Sequence, residues 1–347
     1  MQNGPTATPI LPICCMNNRQ KSRLALFCTI FLTAVAILLG ICLGSTQVSP
    51  SSFLQALFSG DVTSSAYRIV IHSRLPRVLG ALLAGSALAV SGAILQAVLQ
   101  NPLASPNIIG VNTGAGLAVL LCSAFFPALD YLLPLSAFLG ALFSAMVIFV
   151  LAMGNGVSKI TLVLTGIAMS SILGAGMNCI MILYPDAYIG ASTFLVGGLS
   201  AVTLKSLRFA TLYIIVGLVL AMFLRRDMNI VSLGSQSAQS LGMNVTLVRF
   251  LLILTAAILA GAAVSFAGLL GFVGLIVPHA IRFLIGNDNS FLVPASSFGG
   301  AAFVILCDLI SRLAFAPYEI PVGILLSLLG GPFFIYLIIR NRSGHYD

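Results

Sequence analysis

The chain has 347 residues, of which 59% are hydrophobic and only 7% are charged, with a formal net charge of +8. Soluble globular proteins carry about 25% charged residues. The composition therefore excludes a soluble domain and predicts an all-α, polytopic membrane protein, because a helix satisfies its own backbone hydrogen bonds in lipid.

The amino-terminal region is polar and basic up to the first apolar run, which covers residues 24–44. Residues 1–23 lack the apolar core of a cleavable signal peptide, so we expect a disordered cytoplasmic tail followed by a retained membrane anchor. Met16 precedes the basic stretch and is a second candidate start. Three basic residues place the amino terminus inside by the positive-inside rule, namely Arg19, Lys21 and Arg23.

Hydropathy divides residues 24–342 into ten predicted spans, with both termini in the cytoplasm. The eighth span is interrupted by glycines and Pro278, so it predicts a turn and a short broken helix. We also expect a short helix at 191–200 and a long inner polar segment at 229–245. The predicted spans are about 24–44, 75–99, 107–125, 133–152, 160–182, 208–224, 247–267, 268–282, 291–313 and 321–339.

The basic residues test this topology. Ten of them fall on the inner side and six on the outer side, so the bias has the expected direction. Six is nevertheless a high number for the outer side, and an acidic external partner would explain it. The outer basic residues are Arg68, Arg74, Arg77, Lys205, Arg208 and Arg312.

Few side chains are suited to chemistry. Asp308 lies four residues before Arg312 on one helix face, which predicts a structural ion pair and leaves a proton relay as the alternative. Glu319 opens the tenth span, where the helix dipole favours a carboxylate. His279 is a lone histidine that we interpret as structural. The eight acidic residues, three histidines and seven scattered cysteines predict no catalytic site, disulfide framework, metal site or cofactor.

Six motifs occur in a characteristic order. They are RLPR (74–77), SGAILQAVLQNPLASPNIIGVNTGAG (91–116), GFVGLIVPH (271–279), the Asp308–Arg312 pair, EIPVG (319–323) and GGPFF (330–334). Together they resemble the permease family of ABC importers for vitamin B12, haem and iron–siderophore complexes, over about residues 20–342. The resemblance implies a permease domain at 24–342, with the translocation pathway at the interface with a second permease subunit, either identical or a paralogue. It also implies two ATP-binding subunits and an extracytoplasmic substrate-binding protein.

The sequence has no Gly-Lys dipeptide, which an ATP-binding P-loop requires. We therefore expect the chain to be a transport subunit rather than an enzyme, with the ATPase on a separate polypeptide. An ion-driven secondary transporter is the alternative from another class. Such transporters usually place carboxylates at the membrane midplane, whereas the only carboxylate within a predicted span here is Asp308, which lies toward one end of its span with Arg312.

The resemblance implies a role for three outer arginines. Arg74, Arg77 and Arg312 match positions that meet glutamates of the substrate-binding protein. The guanidinium group suits this role, because it pairs with a carboxylate through two parallel hydrogen bonds. The alternative is that Arg74 and Arg77 are interfacial anchors that extend to lipid headgroups.

The resemblance also implies a cytoplasmic gate. Asn101 and Leu103 match its first half, in the turn between the second and third spans. Its second half falls near Ser158 and Lys159, although Lys159 differs from the small polar residue expected there.

The inner segment 233–242 matches a loop of two short coupling helices that contact the ATPase. Ser235 stands where relatives often have an acidic residue, and a plain solvated loop is the alternative. The residues assigned to this contact are Gly234, Ser235, Ala238, Leu241 and Gly242.

The predicted function is import of an iron(III)–siderophore complex across the bacterial cytoplasmic membrane. Haem and vitamin B12 remain alternative cargoes. Small and polar residues in the fifth span suit a wide path for a bulky chelate. We expect the lipid bilayer as the surroundings and no nucleic-acid partner, because the positive charge of a membrane protein reflects its topology.

Overall fold

The computed structural model describes residues 18–44, 65–153, 159–314 and 318–342, and these residues contain helices and no strands. Seven of the described helices are long and apolar enough to cross a membrane, and three shorter apolar helices accompany them. Together they match the ten predicted spans. The predicted all-α, polytopic fold is confirmed.

The membrane helices alternate with short connecting helices. A helical turn at Ser65–Arg68 and a π-helical turn at Ile69–Arg74 lead into α2. The helices are α1 (Asn18–Cys42), α2 (Leu75–Leu99), α3 (Val111–Phe125), α4 (Leu133–Met153), α5 (Lys159–Leu183), α6 (Pro185–Val196), α7 (Leu204–Ser232), α8 (Ser235–Ser240), α9 (Val245–Ala267), α10 (Val273–Ile285), α11 (Asn289–Leu313) and α12 (Val322–Arg342).

Helix α2 is the centre of the bundle. Of its most apolar stretch 83% is buried, whereas the corresponding value for α5 is 11%. Helices α7, α9, α10 and α11 all pack against α2. Its sequence is rich in alanine, glycine and serine, and small residues let helix backbones approach closely in lipid. The exposed α5 is left to face lipid or another subunit.

Two glycine contacts fix how α2 crosses its neighbours. A Cβ on Gly85 would strike the carbonyl of Gly300 in α11, and a Cβ on Gly300 would strike the carbonyl of Gly85. A Cβ on Gly92 would strike the carbonyl of Gly274 in α10. At both crossings the backbones touch, so only glycine fits.

Helix α10 has 13 residues and spans about 20 Å, which is too short for the hydrocarbon core of a bilayer of about 30 Å. The backbone before α10 is irregular. Its N–H and carbonyl groups pair with the end of α6 and with the residues that follow α6. Gly198 N–H donates to the Ala267 carbonyl at 2.9 Å, and Leu269 N–H donates to the Phe194 carbonyl at 3.0 Å. These bonds satisfy groups that lipid cannot.

Two helix boundaries differ from the prediction. Helix α7 was expected at about 208–224 but extends to Ser232, because residues 218–233 contain no glycine or proline and their charged members favour helix once they leave the lipid. The short helix expected at 191–200 runs from Pro185 to Val196. Proline suits a first helical position, and Gly197 at φ 79° ends the helix.

Candidate functional site

A buried charge cluster joins α2, α11 and the segment before α12. Arg77 Nε lies 2.9 Å from Asp308 Oδ1 and 3.0 Å from Asp308 Oδ2, and Arg77 Nη1 lies 2.5 Å from Glu319 Oε2. Arg312 Nε lies 3.1 Å from Asp308 Oδ2, so the expected Asp308–Arg312 ion pair is present. Two guanidinium groups and two carboxylates therefore make a cluster with no net charge.

The sequence suggested that Glu319 opens the last helix, but the structure places it before that helix. Helix α12 begins at Val322, and Glu319 precedes it by three residues as an acceptor for Arg77. Its side chain keeps 36% exposure, whereas that of Asp308 keeps 1%. Glu319 is thus the member of the cluster that solvent reaches.

Arg74 is bonded to the carboxyl end of α1. Its Nη1 donates to the carbonyls of Ile41 and Cys42 at 2.7 and 2.8 Å. The last carbonyls of a helix have no partner within that helix and carry partial negative charge, so a guanidinium group is a favourable cap.

The three arginines assigned to docking are buried within this chain. Arg74, Arg77 and Arg312 keep only 4%, 7% and 3% of their exposure. Lys205 and Arg208, which the topology places on the same side of the membrane, are exposed. The docking role stays a prediction, and this geometry requires that a partner carboxylate displace an internal ligand.

The turn assigned to the first half of the gate connects α2 to α3. Gln100 ends α2 in the left-handed region, at φ 47° and ψ 39°. Asn101 Oδ1 accepts a hydrogen bond from Leu103 N–H at 2.9 Å, and Ala104 N–H donates to the Asn101 carbonyl at 3.1 Å. The turn therefore holds its shape through local bonds, as expected for an Asn-Pro break.

The second half of the predicted gate is only partly described. Ser158 lies outside the described residues, and Lys159 is the first residue of α5. A cleft of about 380 Å³ lies next to the described gate turn, where Asn107 and Ile108 face α5. Its lining on α5 consists of small or aliphatic residues, namely Gly166, Ile167, Ser170 and Ser171.

The segment assigned to ATPase coupling contains one short helix, α8, where the sequence suggested two. Residues 229–232 belong to α7, so less of the segment is available. Gly234 at φ 108° and Gly242 at φ 79° flank α8, and both backbone conformations favour glycine. Ala238 is buried, whereas Leu241 keeps 65% exposure. Ser235 Oγ accepts a hydrogen bond from Arg249 of α9 at 2.9 Å.

Polar contacts that the sequence reading did not anticipate tie this end of the bundle together. Gln96 Nε2 donates to the Gly274 carbonyl at 3.3 Å, and Gln96 Oε1 accepts from Arg282 at 3.0 Å. Gln100 Nε2 donates to the Val231 carbonyl at 2.7 Å. The sequence did contain a signal for these contacts. Gln96 and Gln100 lie one helical turn apart at the end of a largely apolar helix, so their amide side chains share one face.

Helices α7 and α11 meet through a further polar contact at the same end. Asp288 caps α11 by accepting from Ser290 N–H, and it accepts a hydrogen bond from Asn229 Nδ2 at 2.9 Å. Partial burial opposes ionisation of the carboxyl group. The hydrogen bonds from Asn229 and Ser290 outweigh that effect and lower the pKa of Asp288 below its ordinary value.

The candidate metal ligands are scattered in the part of the chain that the structure describes. Among the residues that the structure describes, no group of three or more His, Cys, Asp or Glu side chains could hold a metal ion. His279 stacks edge-on with Phe283 and Phe333, at centroid distances of 4.8 and 5.9 Å. These contacts fit the structural role predicted for His279.

Comparison with known proteins finds relatives that match over nearly the whole length of this chain. The model of the FecCD transport family matches residues 32–340. The iron-uptake system permease protein FeuB of Bacillus subtilis is 36% identical over 329 residues, covering 94% of this chain and 98% of FeuB. The hemin transport system permease protein HmuU of Yersinia pestis is 36% identical over 334 residues, covering 94% of this chain and 99% of HmuU.

A solved structure shares the fold. It is an inward-facing conformation of a metal-chelate type ABC transporter, with a TM-score of 0.81 and 26% sequence identity, and the match covers 92% of this chain and 99% of that one. Together with the apolar helices, these relatives identify a multi-pass protein of the bacterial cytoplasmic membrane. The chain belongs to the FecCD transport family and is a permease component of its ABC importers.

Proposed function

We propose that this chain is the membrane-spanning subunit of a binding-protein-dependent importer that carries an iron(III)–siderophore complex into the cell. The observation that carries the proposal is the match, over nearly the whole length of both chains, to an iron-uptake permease. A second permease subunit, two ATP-binding subunits and a substrate-binding protein complete the machine. Haem is the alternative cargo, because a hemin permease matches over the same length.

The buried charges support an importer driven by other subunits rather than by ions. Asp308 is the most deeply buried carboxylate of the described cluster, and it forms ion pairs with both Arg77 and Arg312. A coupling-ion site needs a carboxylate that can exchange its partner during transport. A carboxylate held by two guanidinium groups is better suited to a structural role.

The binding protein docks, in this proposal, over the charge cluster that contains Arg77 and Arg312, with Arg74 beside it. Exposed Lys205 and Arg208 attract the acidic partner from a distance. Glu319 is the half-exposed ligand of Arg77, so a carboxylate of the partner replaces Glu319 and leaves the buried bond to Asp308 intact.

The ATP-binding subunit contacts α8 and the residues around it. Leu233 and Leu241 flank α8 and keep 64% and 65% exposure at the end of the bundle expected in the cytoplasm. Exposed leucines beside a short helix suit insertion into a groove on a partner. Movement of α8 then reaches the gate at Asn101 and Leu103, with Ser158 and Lys159 as its second half.

The proposal is tested by reconstituting the complex that copurifies with the tagged chain from its native membranes. Proteoliposomes with enclosed ATP are given the binding protein and one of five labelled cargoes: ferric hydroxamate, ferric catecholate, ferric citrate, haem or cobalamin. We expect uptake of a ferric siderophore with ATP and no uptake with a non-hydrolysable analogue. Uptake of haem or cobalamin alone would overturn the cargo assignment. Uptake driven by a proton or sodium gradient without ATP would overturn the importer.

A further inference from the structure

Gln100 occupies a strained position between α2 and the gate turn. It is one of two described non-glycine residues with positive φ, at φ 47° and ψ 39°. Asparagine and glycine adopt this left-handed conformation at lower cost than glutamine does. The backbone conformation alone therefore does not explain a glutamine at position 100. The contact that its side chain makes does explain it.

The side chain of Gln100 reaches the carboxyl end of α7. Its Nε2 donates to the Val231 carbonyl at 2.7 Å, and the same carbonyl accepts from Gly234 N–H at 3.2 Å. Val231 is buried, at 1% exposure. One carbonyl oxygen thus connects the residue before the gate turn with the residue before α8.

The two donors to the Val231 carbonyl lie beside different segments, because Gln100 precedes the gate turn and Gly234 precedes α8. Gly234 precedes α8, whose Ser235 is also bonded to Arg249 of α9. Gln100 precedes Asn101, whose side chain shapes the turn through its bond to Leu103 N–H. A displacement of α8 therefore reaches the gate turn through a single side chain, without passing along the length of any membrane helix.

We propose that Gln100 is a positioning residue that couples movement of α8 to the gate turn, through its hydrogen bond to the Val231 carbonyl. This rests on the proposed function, in which α8 receives the ATPase. The bond makes gate opening follow nucleotide-driven displacement of α8. Without it, ATP hydrolysis continues while the gate turn no longer follows.

Three variants separate the side-chain contact from the strain of the backbone. Gln100→Met keeps the length and removes the donor. Gln100→Asn relieves the strained backbone but is one methylene too short to reach Val231. Gln100→Lys restores a donor of sufficient reach and serves as the rescue. A role confined to turn shape predicts that Gln100→Asn performs at least as well as the native chain.

The readout is the number of cargo molecules imported per ATP hydrolysed by the reconstituted complex. For Gln100→Met and Gln100→Asn we expect this ratio to fall by at least about fivefold, which is the lower end of common coupling free energies. ATP hydrolysis should stay close to that of the native complex, because the substitutions change neither α8 nor the ATP-binding subunits. Gln100→Lys should recover most of the ratio.

Other results would overturn the proposed coupling between α8 and the gate turn. A native ratio in both Gln100→Met and Gln100→Asn would show that the bond carries no coupling. Loss of the assembled complex in all three variants would show a role in folding instead. Failure of the proposed function is distinguishable, because the native complex itself would then show no ATP-dependent uptake.

Discussion

Arg77 Nε is shared between both carboxylate oxygens of Asp308, at 2.9 and 3.0 Å, although 231 residues separate the two in the chain. The contact ties the amino-terminal end of α2 to the carboxyl-terminal end of α11. Both side chains are buried, at 9% and 1% exposure. A buried charge without its partner is costly, so each of these residues makes the other tolerable in the membrane domain.

Replacing Asp308 by asparagine should leave Arg77 and Arg312 as neighbouring buried cations. We expect a loss of about 3–5 kcal/mol in the free energy of unfolding, the usual cost of removing one partner of a buried pair. The measurement is chemical unfolding of the purified chain in detergent. The double variant Asp308→Leu/Arg312→Met removes both charges of the pair within α11, leaves Arg77 paired with Glu319, and should lose less. A double variant as unstable as Asp308→Asn would show that the cost lies in packing rather than in unpaired charge.

Replacing Glu319 by glutamine should have a different effect, because Glu319 is half-exposed and competes for Arg77. We expect a small loss of stability, about 1 kcal/mol or less as for exposed ion pairs, and tighter binding of the substrate-binding protein. Binding is measured by surface plasmon resonance on the complex in nanodiscs.

Asp130→Asn is the matched control for Glu319→Gln. It removes the same charge from an exposed carboxylate between α3 and α4. The control reports the general effect of lowering the outer negative charge, so its affinity should change less. Equal affinities in Glu319→Gln and the native chain would argue that Arg77 takes no part in docking.

The order and type of the helices followed from the sequence because lipid imposes a simple rule. A helix must be apolar over its crossing, and charges mark its ends. The eighth span was correctly expected to be a turn followed by a short helix, but the expected break at Pro278 is wrong, because the helix runs without interruption from Val273 to Ile285. The end of α7 was missed by eight residues, because the charges at 225–227 end the apolar run but not the helix.

The polar contacts were harder to predict, because they depend on which helices become neighbours. The Asp308–Arg312 pair lies within one helix, so its spacing was enough. The bonds of Arg77 to Asp308 and Glu319 cross 231 and 242 residues of sequence. No local pattern specifies such a pairing, nor the burial of the three arginines that were assigned to docking on the outer side.

Neighbouring glycines in α11 should respond very differently to alanine. A Cβ on Gly300 would strike the backbone carbonyl of Gly85 and the Cβ of Ala89. We expect Gly300→Ala to destabilise the chain by about 1–3 kcal/mol, because a backbone contact cannot move aside as a side chain can. Thermal unfolding of the purified chain in detergent measures the effect.

Gly299→Ala is the matched control for Gly300→Ala. Its Cβ would meet the side-chain end of Ile281 at 3.1 Å, which a small rotation relieves. Alanine also favours helix over glycine by about 1 kcal/mol. Gly299→Ala should therefore be neutral or stabilising. Equal destabilisation of both variants would show that the α2–α11 crossing is not set by the glycine contact.

Asp288 should make the stability of the α7–α11 contact depend on pH. Its pKa is lowered in the folded state, so the folded chain favours the ionised form. The stabilisation is fully present above the ordinary carboxyl pKa and is lost as the pH falls through the lower folded value. We expect Asp288→Ala to lower the melting temperature by a constant amount between about pH 5 and 8, and by less below about pH 4.

Asn244→Ala is the neutral counterpart of Asp288→Ala. Asn244 caps α9 by accepting a hydrogen bond from Leu247 N–H at 3.1 Å, and it carries no titratable group. Loss of either cap should cost about 1 kcal/mol near neutral pH. Only the cost of Asp288→Ala should shrink in acid, because only that carboxylate takes up a proton. A parallel decline in both variants would assign the acid sensitivity to the rest of the chain and remove Asp288 as its source.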